Sequence, residues 1–142
     1  VVINHNYADN LPQLRCHVPE LQQVFLSLFR YSCYALGKIE DPEHTPSINI
    51  EISEFHNAVW VRIQHNGLGI STEEQQLLFE PFFASSHATD NEDQHSAGER
   101  LSFAQFIIAE QHQGKISVTS DLNIGATFHI QLPYPNLSDA ED

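Results

Sequence analysis

Basic residues are scarce in this 142-residue chain: six Lys and Arg stand against nineteen Asp and Glu, a formal charge of −13. A field of that sign repels phosphate backbones and anionic lipid headgroups, which argues against nucleic acid or a membrane surface as partner. It also opposes a polyphosphate ligand unless local dipoles or a bound cation reverse it. Cysteine is nearly absent as well. Cys16 and Cys33 are too few for a disulfide framework and lack metal-ligand spacing, and Cys33 falls mid-helix among apolar residues, so reduced cytoplasmic thiols are expected. No apolar run approaches the ~20 residues that span a bilayer. The start, Val1-Val2-Ile3-Asn4-His5, has neither a basic n-region nor a cleavage site and reads as a strand in a chain cut from something longer.

What is present is a globular composition, 41% hydrophobic and 18% charged, in a length that suits one domain. Residues 1–134 read as that domain and 135–142 as an acidic tail or linker. Pro19 suits the first turn of a helix, and Leu21, Val24, Phe25, Leu28, Ser32, Ala35 and Leu36 recur at helical spacing up to Gly37. Asp41-Pro42 and Thr45-Pro46 mark a loop before a strand in which Ile48, Ile50 and Ile52 alternate with polar residues. Residues 54–57 turn the chain into Val59, Val61 and Ile63, an antiparallel hairpin with one buried face and with Trp60 and Arg62 on the other. A short helix opens at Ser71-Thr72-Glu73-Glu74. Residues 84–98 are polar and aperiodic, a mobile lid or crossing in which His87, His95, Asp90, Glu92 and Asp93 read as a solvated loop rather than a metal site. Leu101, Phe103, Ala104, Ile107, Ile108 and Gln111 give a second long helix ended by Gly114, followed by strands around Ile116-Val118 and Phe128-Leu132. Helices grouped against a mostly antiparallel sheet make an α/β two-layer sandwich.

The most informative segment is His65-Asn66-Gly67-Leu68-Gly69-Ile70, directly after the second hairpin strand. Two glycines one residue apart let backbone turn sharply and approach a neighbour closely. A dinucleotide fingerprint would need a third glycine and a long helix behind it, and both are missing. With Asn10-Leu-Pro-Gln, Pro19-Glu-Leu-Gln-Gln-Val-Phe-Leu, Phe79-Glu80-Pro81-Phe82-Phe83 and Gly125-Ala126-Thr127-Phe128 before Leu132-Pro133, this segment resembles, block by block and in order, the ATP-binding catalytic domain of sensor histidine kinases in the gyrase, Hsp90 and MutL superfamily. The resemblance implies a Bergerat-type mixed sheet of about five strands under about three helices.

It also implies a pocket whose chemistry has changed. Where the family places an Asn that helps hold Mg²⁺, the matching residue is Tyr31, expected to pack beside Tyr34 at a helix edge; one turn earlier stands Ser27. A phenol is neutral until near pH 10 and too bulky for a compact octahedral shell. The Asp that accepts from the adenine amino group is replaced by His65. The second glycine box reads Ser96-Ala97-Gly98-Glu99-Arg100-Leu101-Ser102, with one glycine of three left, Glu99 near the expected phosphates and Arg100 as a candidate clamp. The vestigial pocket is therefore Ser27, Tyr31, His65, Gly67, Gly69, Gly98, Arg100 and Thr127, with no catalytic residue and no metal ligand. The resemblance implies a degenerate, pseudokinase-type domain that is regulatory, binds no cofactor, and is cytoplasmic even where its parent protein is membrane-anchored. Its partners would be a dimerisation and phosphoacceptor domain, since the chain has no phosphoacceptor His of its own, or a response regulator. The alternative is a working kinase domain that binds ATP and Mg²⁺ and phosphorylates a His on a separate dimerisation domain, with His65 and Arg100 replacing the usual groups. A third reading gives the pocket another small ligand, lined by Leu68, Ile70 and Phe79.

Overall fold

A computed structural model describes residues 1–14, 16–79, 101–122 and 124–134. Five strands form one sheet in the order β1-β2-β3-β5-β4: β1 (Val2–Tyr7), β2 (Ser47–Phe55), β3 (Ala58–His65), β4 (Lys115–Asp121) and β5 (Gly125–Pro133). Only β1 and β2 run parallel; the other pairs are antiparallel. One face is covered by α1 (Val18–Gly37), α2 (Thr72–Leu77) and α3, whose residues 101–105 are α-helical before Phe106–Gln111 widen into a π-helical turn. This is the expected two-layer architecture. The loop at 84–98, most of the phenylalanine block and the tail 135–142 lie outside the described residues.

Strand alternation decides which side chains face the helices. On β3 these are Val59, Val61, Ile63 and His65, and on β5 Ala126, Phe128, Ile130 and Leu132, all buried. Opposite them α1 buries Leu21, Val24, Leu28, Tyr31, Ala35 and Leu36, positions that repeat at the three- and four-residue spacing of one helix face. Ser27 and Ser32 are tolerated in that stripe because each hydroxyl donates to a carbonyl one turn back, Gln23 at 2.8 Å and Leu28 at 2.8 Å. Cys33, expected among apolar neighbours, is instead exposed; it falls between the buried positions and points away from the sheet.

The hairpin turn is tighter than the sequence suggested. β2 continues through Phe55, and His56 (φ 51°) and Asn57 (φ 59°) alone reverse the chain. Two left-handed residues match the right-handed twist of the flanking strands. At the start of α1, His17 offers no side-chain cap. Its backbone N–H donates instead to Nε2 of the buried His112 at 3.0 Å, and His112 Nδ1–H donates to the Ile107 carbonyl at 2.9 Å. One imidazole thus ties the first helix to the third. Gly114 does not end a straight helix: its N–H reaches the Ile108 carbonyl at 2.8 Å after the π-helical turn.

Candidate functional site

The glycine segment 65–70 leaves the end of β3 and is pinned on three sides. Asn66 fixes the loop before β2: its Oδ1 accepts from Ser47 N–H at 2.9 Å and its Nδ2 donates to the Thr45 carbonyl at 2.9 Å. The Leu68 N–H donates to the Ala35 carbonyl at 3.0 Å, which also accepts the Lys38 N–H at 3.2 Å, so the segment is tied to the end of α1. On the far side, Ile70 N–H donates to Ser120 Oγ at 2.6 Å, and that hydroxyl donates on to the Gly125 carbonyl at 2.9 Å.

These approaches explain both glycines. A Cβ on Gly67 would sit 2.5 Å from the Ala35 carbonyl carbon and 2.6 Å from Leu36 N. A Cβ on Gly69 would collide with the Asp121 carbonyl oxygen. In both cases the obstacle is backbone, which cannot swing aside as a side chain can. The Gly-x-Gly spacing here serves contact between the segment, α1 and the β4–β5 turn.

His65 is the floor. It is 1% exposed, and its Nδ1 accepts the Gly67 N–H at 3.0 Å. Its Nε2 is buried with no hydrogen-bond partner. Burial pulls its pKa down to about 4, so the ring is neutral at neutral pH. Phe128 lies between it and Tyr31: its ring centroid is 6.4 Å from that of His65 and 5.8 Å, edge-on, from that of Tyr31. Tyr31 is not the helix-edge residue expected. It is buried in the core, 8% exposed, although Tyr34 is still a neighbour at 6.3 Å. Burial, then the Glu74 carboxylate and Tyr34, push the phenol further above its ordinary value, so it stays neutral.

The structure brings Tyr31, His65, Gly67 and Gly69 to one end of the helix-facing side, with Ser27 buried one turn before Tyr31 on α1. It does not bring Thr127 there. Thr127 stands on the open face of the sheet beside Gln64, Asn49 and His129, because strand alternation turns inward its neighbours Ala126 and Phe128. Of the expected apolar lining, Ile70 is buried but Leu68 is 45% exposed. Gly98 and Arg100 lie outside the described residues. Asn66 and Ser120 hold the segment 65–70 in place without having been singled out by the sequence. Asn66 sits inside the quoted motif, whereas Ser120 carries no local signal, since its bonds to Ile70 and Gly125 depend on chain segments meeting in space.

A bound Mg-ATP fits this donor set poorly. Among the described residues no three His, Cys, Asp or Glu side chains converge to hold a metal ion. The residue on α1 is a buried neutral phenol, and the floor offers an unpartnered imidazole nitrogen where a carboxylate would accept.

Residues 17–136 match the histidine kinase-, DNA gyrase B-, and HSP90-like ATPase family. Sporulation kinase E of Bacillus subtilis (strain 168) is 29% identical over 126 residues, 88% of this chain and 15% of that protein, so the chain spans well under a quarter of this relative's length. The solved catalytic domain of histidine kinase ThkA superposes with a TM-score of 0.72 at 22% identity, covering 93% of this chain and 77% of that one. The structure of ThkA in complex with response regulator protein TrrA gives a TM-score of 0.70 at 22% identity, covering 94% of this chain and 34% of that one. With blocks, sheet order and family match in agreement, the chain belongs to the histidine kinase-, DNA gyrase B- and HSP90-like ATPase family, as a domain of the sensor histidine kinase type.

Proposed function

We propose that this domain keeps the histidine kinase catalytic fold but no longer takes Mg-ATP tightly, and that it serves as a regulatory or interaction module in two-component signalling. The observation that carries the reading is Tyr31. Its ring is buried between α1 and the sheet, edge-on to Phe128, at the position where the family places a metal-holding Asn. A neutral phenol held in the core gives Mg²⁺ no charged or compact oxygen ligand. His65 acts on a different part of the same ligand, so the two losses add roughly. Loss of a charged acceptor for the base corresponds to ~1.5–3 kcal/mol, or about ten- to a hundredfold in affinity.

The partners that suit such a module are a histidine kinase dimerisation and phosphoacceptor domain, or a response regulator of the kind ThkA binds in its complex with TrrA. No helix among the described residues is long and apolar enough to cross a membrane, which agrees with a cytoplasmic domain of a larger protein. Calorimetry with ATP, ADP and Mg²⁺ tests the reading. The expected result is no saturable binding; a dissociation constant below ~100 µM overturns it in favour of a working kinase domain, and a ligand at a hundred times its dissociation constant would also stabilise the fold by ~2.7 kcal/mol. Pull-down with a kinase dimerisation hairpin and with a response regulator tests the interaction role, with retention of one of them expected.

A further inference from the structure

The two edges of the sheet differ in how they meet solvent. β1 is the last strand in the order and all six of its residues are exposed, whereas the helix-facing residues of β3 and β5 are buried. Its pairing with β2 is parallel, and the Val2 and Ala8 N–H groups both turn toward β2, donating to the Pro46 and Ile52 carbonyls at 2.9 Å. Strand alternation therefore sends the N–H and C=O groups of Ile3, His5 and Tyr7 to the open edge. Residues 1–7 contain no Asp, Glu, Lys, Arg or Pro, the residue types that keep edge strands from pairing. The opposite edge has them: β4 carries Lys115 at its start and Asp121 at its end. On the helix-facing side, Ile3 and Tyr7 stand exposed beside Ile50 and Ile52 of β2, which are only partly buried.

We propose that β1 is a docking edge for a second copy of this chain, which adds its own β1 antiparallel about a two-fold axis between the two His5 residues. In that register Ile3 faces Tyr7 of the second copy and His5 faces its counterpart. Each pair joins its outward N–H and C=O groups in both directions, so the contact is self-complementary. Ile3 with Tyr7 is a β-branched and aromatic pair, a favourable combination across strands. Charge selects the occupant. Two chains of −13 repel on approach, and a stretch without charged side chains lets them meet with no acid facing acid. A basic or an acidic partner finds no countercharge along the same edge.

Sedimentation equilibrium of the intact chain, at concentrations up to about 1 mM, is expected to show a mass rising from 16.1 kDa toward twice that value. The dimer should tighten when salt is raised from about 0.1 M to about 1 M, because the screening length falls from ~10 Å to ~3 Å. His5→Pro removes an N–H that points away from β2, which an edge strand tolerates, and the dimer should disappear. A chain that stays monomeric, a dimer no tighter at high salt, or a dimer unchanged in folded His5→Pro each overturns the proposal. Should that variant not fold, cross-linking decides. In a Cys16→Ser, Cys33→Ser background, His5→Cys should form an intermolecular disulfide on mild oxidation, since directly opposed residues lie about 5.5 Å apart at Cα. Ser117→Cys on the other edge strand should not. Absence of the first disulfide, or equal cross-linking at both positions, overturns the proposal. Neither measurement depends on nucleotide, so the outcome is separate from that of the functional reading above.

Discussion

At the scale of single residues, Tyr31 and His65 are buried and Gly67 lies against backbone. His65 folds in its neutral form, with a pKa lowered by burial from 6.5 to about 4. Below pH 6.5 the unfolded chain therefore binds a proton that the folded chain refuses. Its contribution is complete above pH 6.5 and drains away as pH falls toward about 4, a loss of roughly 3 kcal/mol across that window. Urea unfolding at several pH values should show the slope, and His65→Gln, which keeps an acceptor for Gly67 but does not titrate, should flatten it. Some slope will remain, because burial and then Arg62 also lower the pKa of His129. Gly67→Ala places a methyl against the backbone of Ala35 and Leu36, and a loss of about 1–3 kcal/mol is expected in the urea midpoint. Tyr31→Ala removes a buried ring from Phe128 and should cost about 3–5 kcal/mol by the same measurement.

At the scale of elements, two links are worth testing. His112 joins the first residue before α1 to the π-helical turn of α3. His112→Ala leaves the His17 N–H and the Ile107 carbonyl without that partner, so a loss of about 1–3 kcal/mol is expected. Hydrogen exchange should locate it, with amides of residues 17–24 exchanging faster while those of β3 and β5 keep their relative protection. The β2–β3 turn offers the opposite sign. His56 and Asn57 both adopt positive φ, a conformation that Asn and Gly accept more easily than His. The double substitution His56→Asn, Asn57→Gly should raise the thermal midpoint, by a stabilisation of roughly 0.5–1 kcal/mol.

Some elements were plain in the sequence and others were not, for identifiable reasons. The stripe Leu21 to Leu36 and the alternation of Val59, Val61 and Ile63 announce α1 and β3, since burial on one face imposes a period on the chain itself. His65 continues the same alternation and could have been read as inward-facing. The π-helical widening at Phe106–Gln111 has no such period, and the pairing of β1 with β2 joins residues as far apart as Val2 and Ser47. Thr127 shows how narrow the margin is: one residue along a strand separates the pocket side from the open face.

At the scale of the whole molecule, the formal charge is −13. The Arg62–Glu51 pair, 3.7 Å apart with both side chains exposed, contributes little. The folded chain therefore carries net self-repulsion. Raising salt from about 0.01 M to about 0.3 M shortens the screening length from ~30 Å to well under 10 Å. The thermal midpoint at pH 7 should rise by a few degrees; a fall would mean that specific pairs outweigh the net field. What the sequence alone determined is the fold and its family, because periodic burial, glycine placement and ordered motif blocks are local properties of the chain. What only the tertiary structure decided is the state of Tyr31 and His65. Burial of Tyr31 against Phe128 and the bond from Gly67 N–H to His65 Nδ1 arise where α1, β3 and β5 meet, and that meeting sets both the neutrality and the hydrogen-bond direction of the rings lining it.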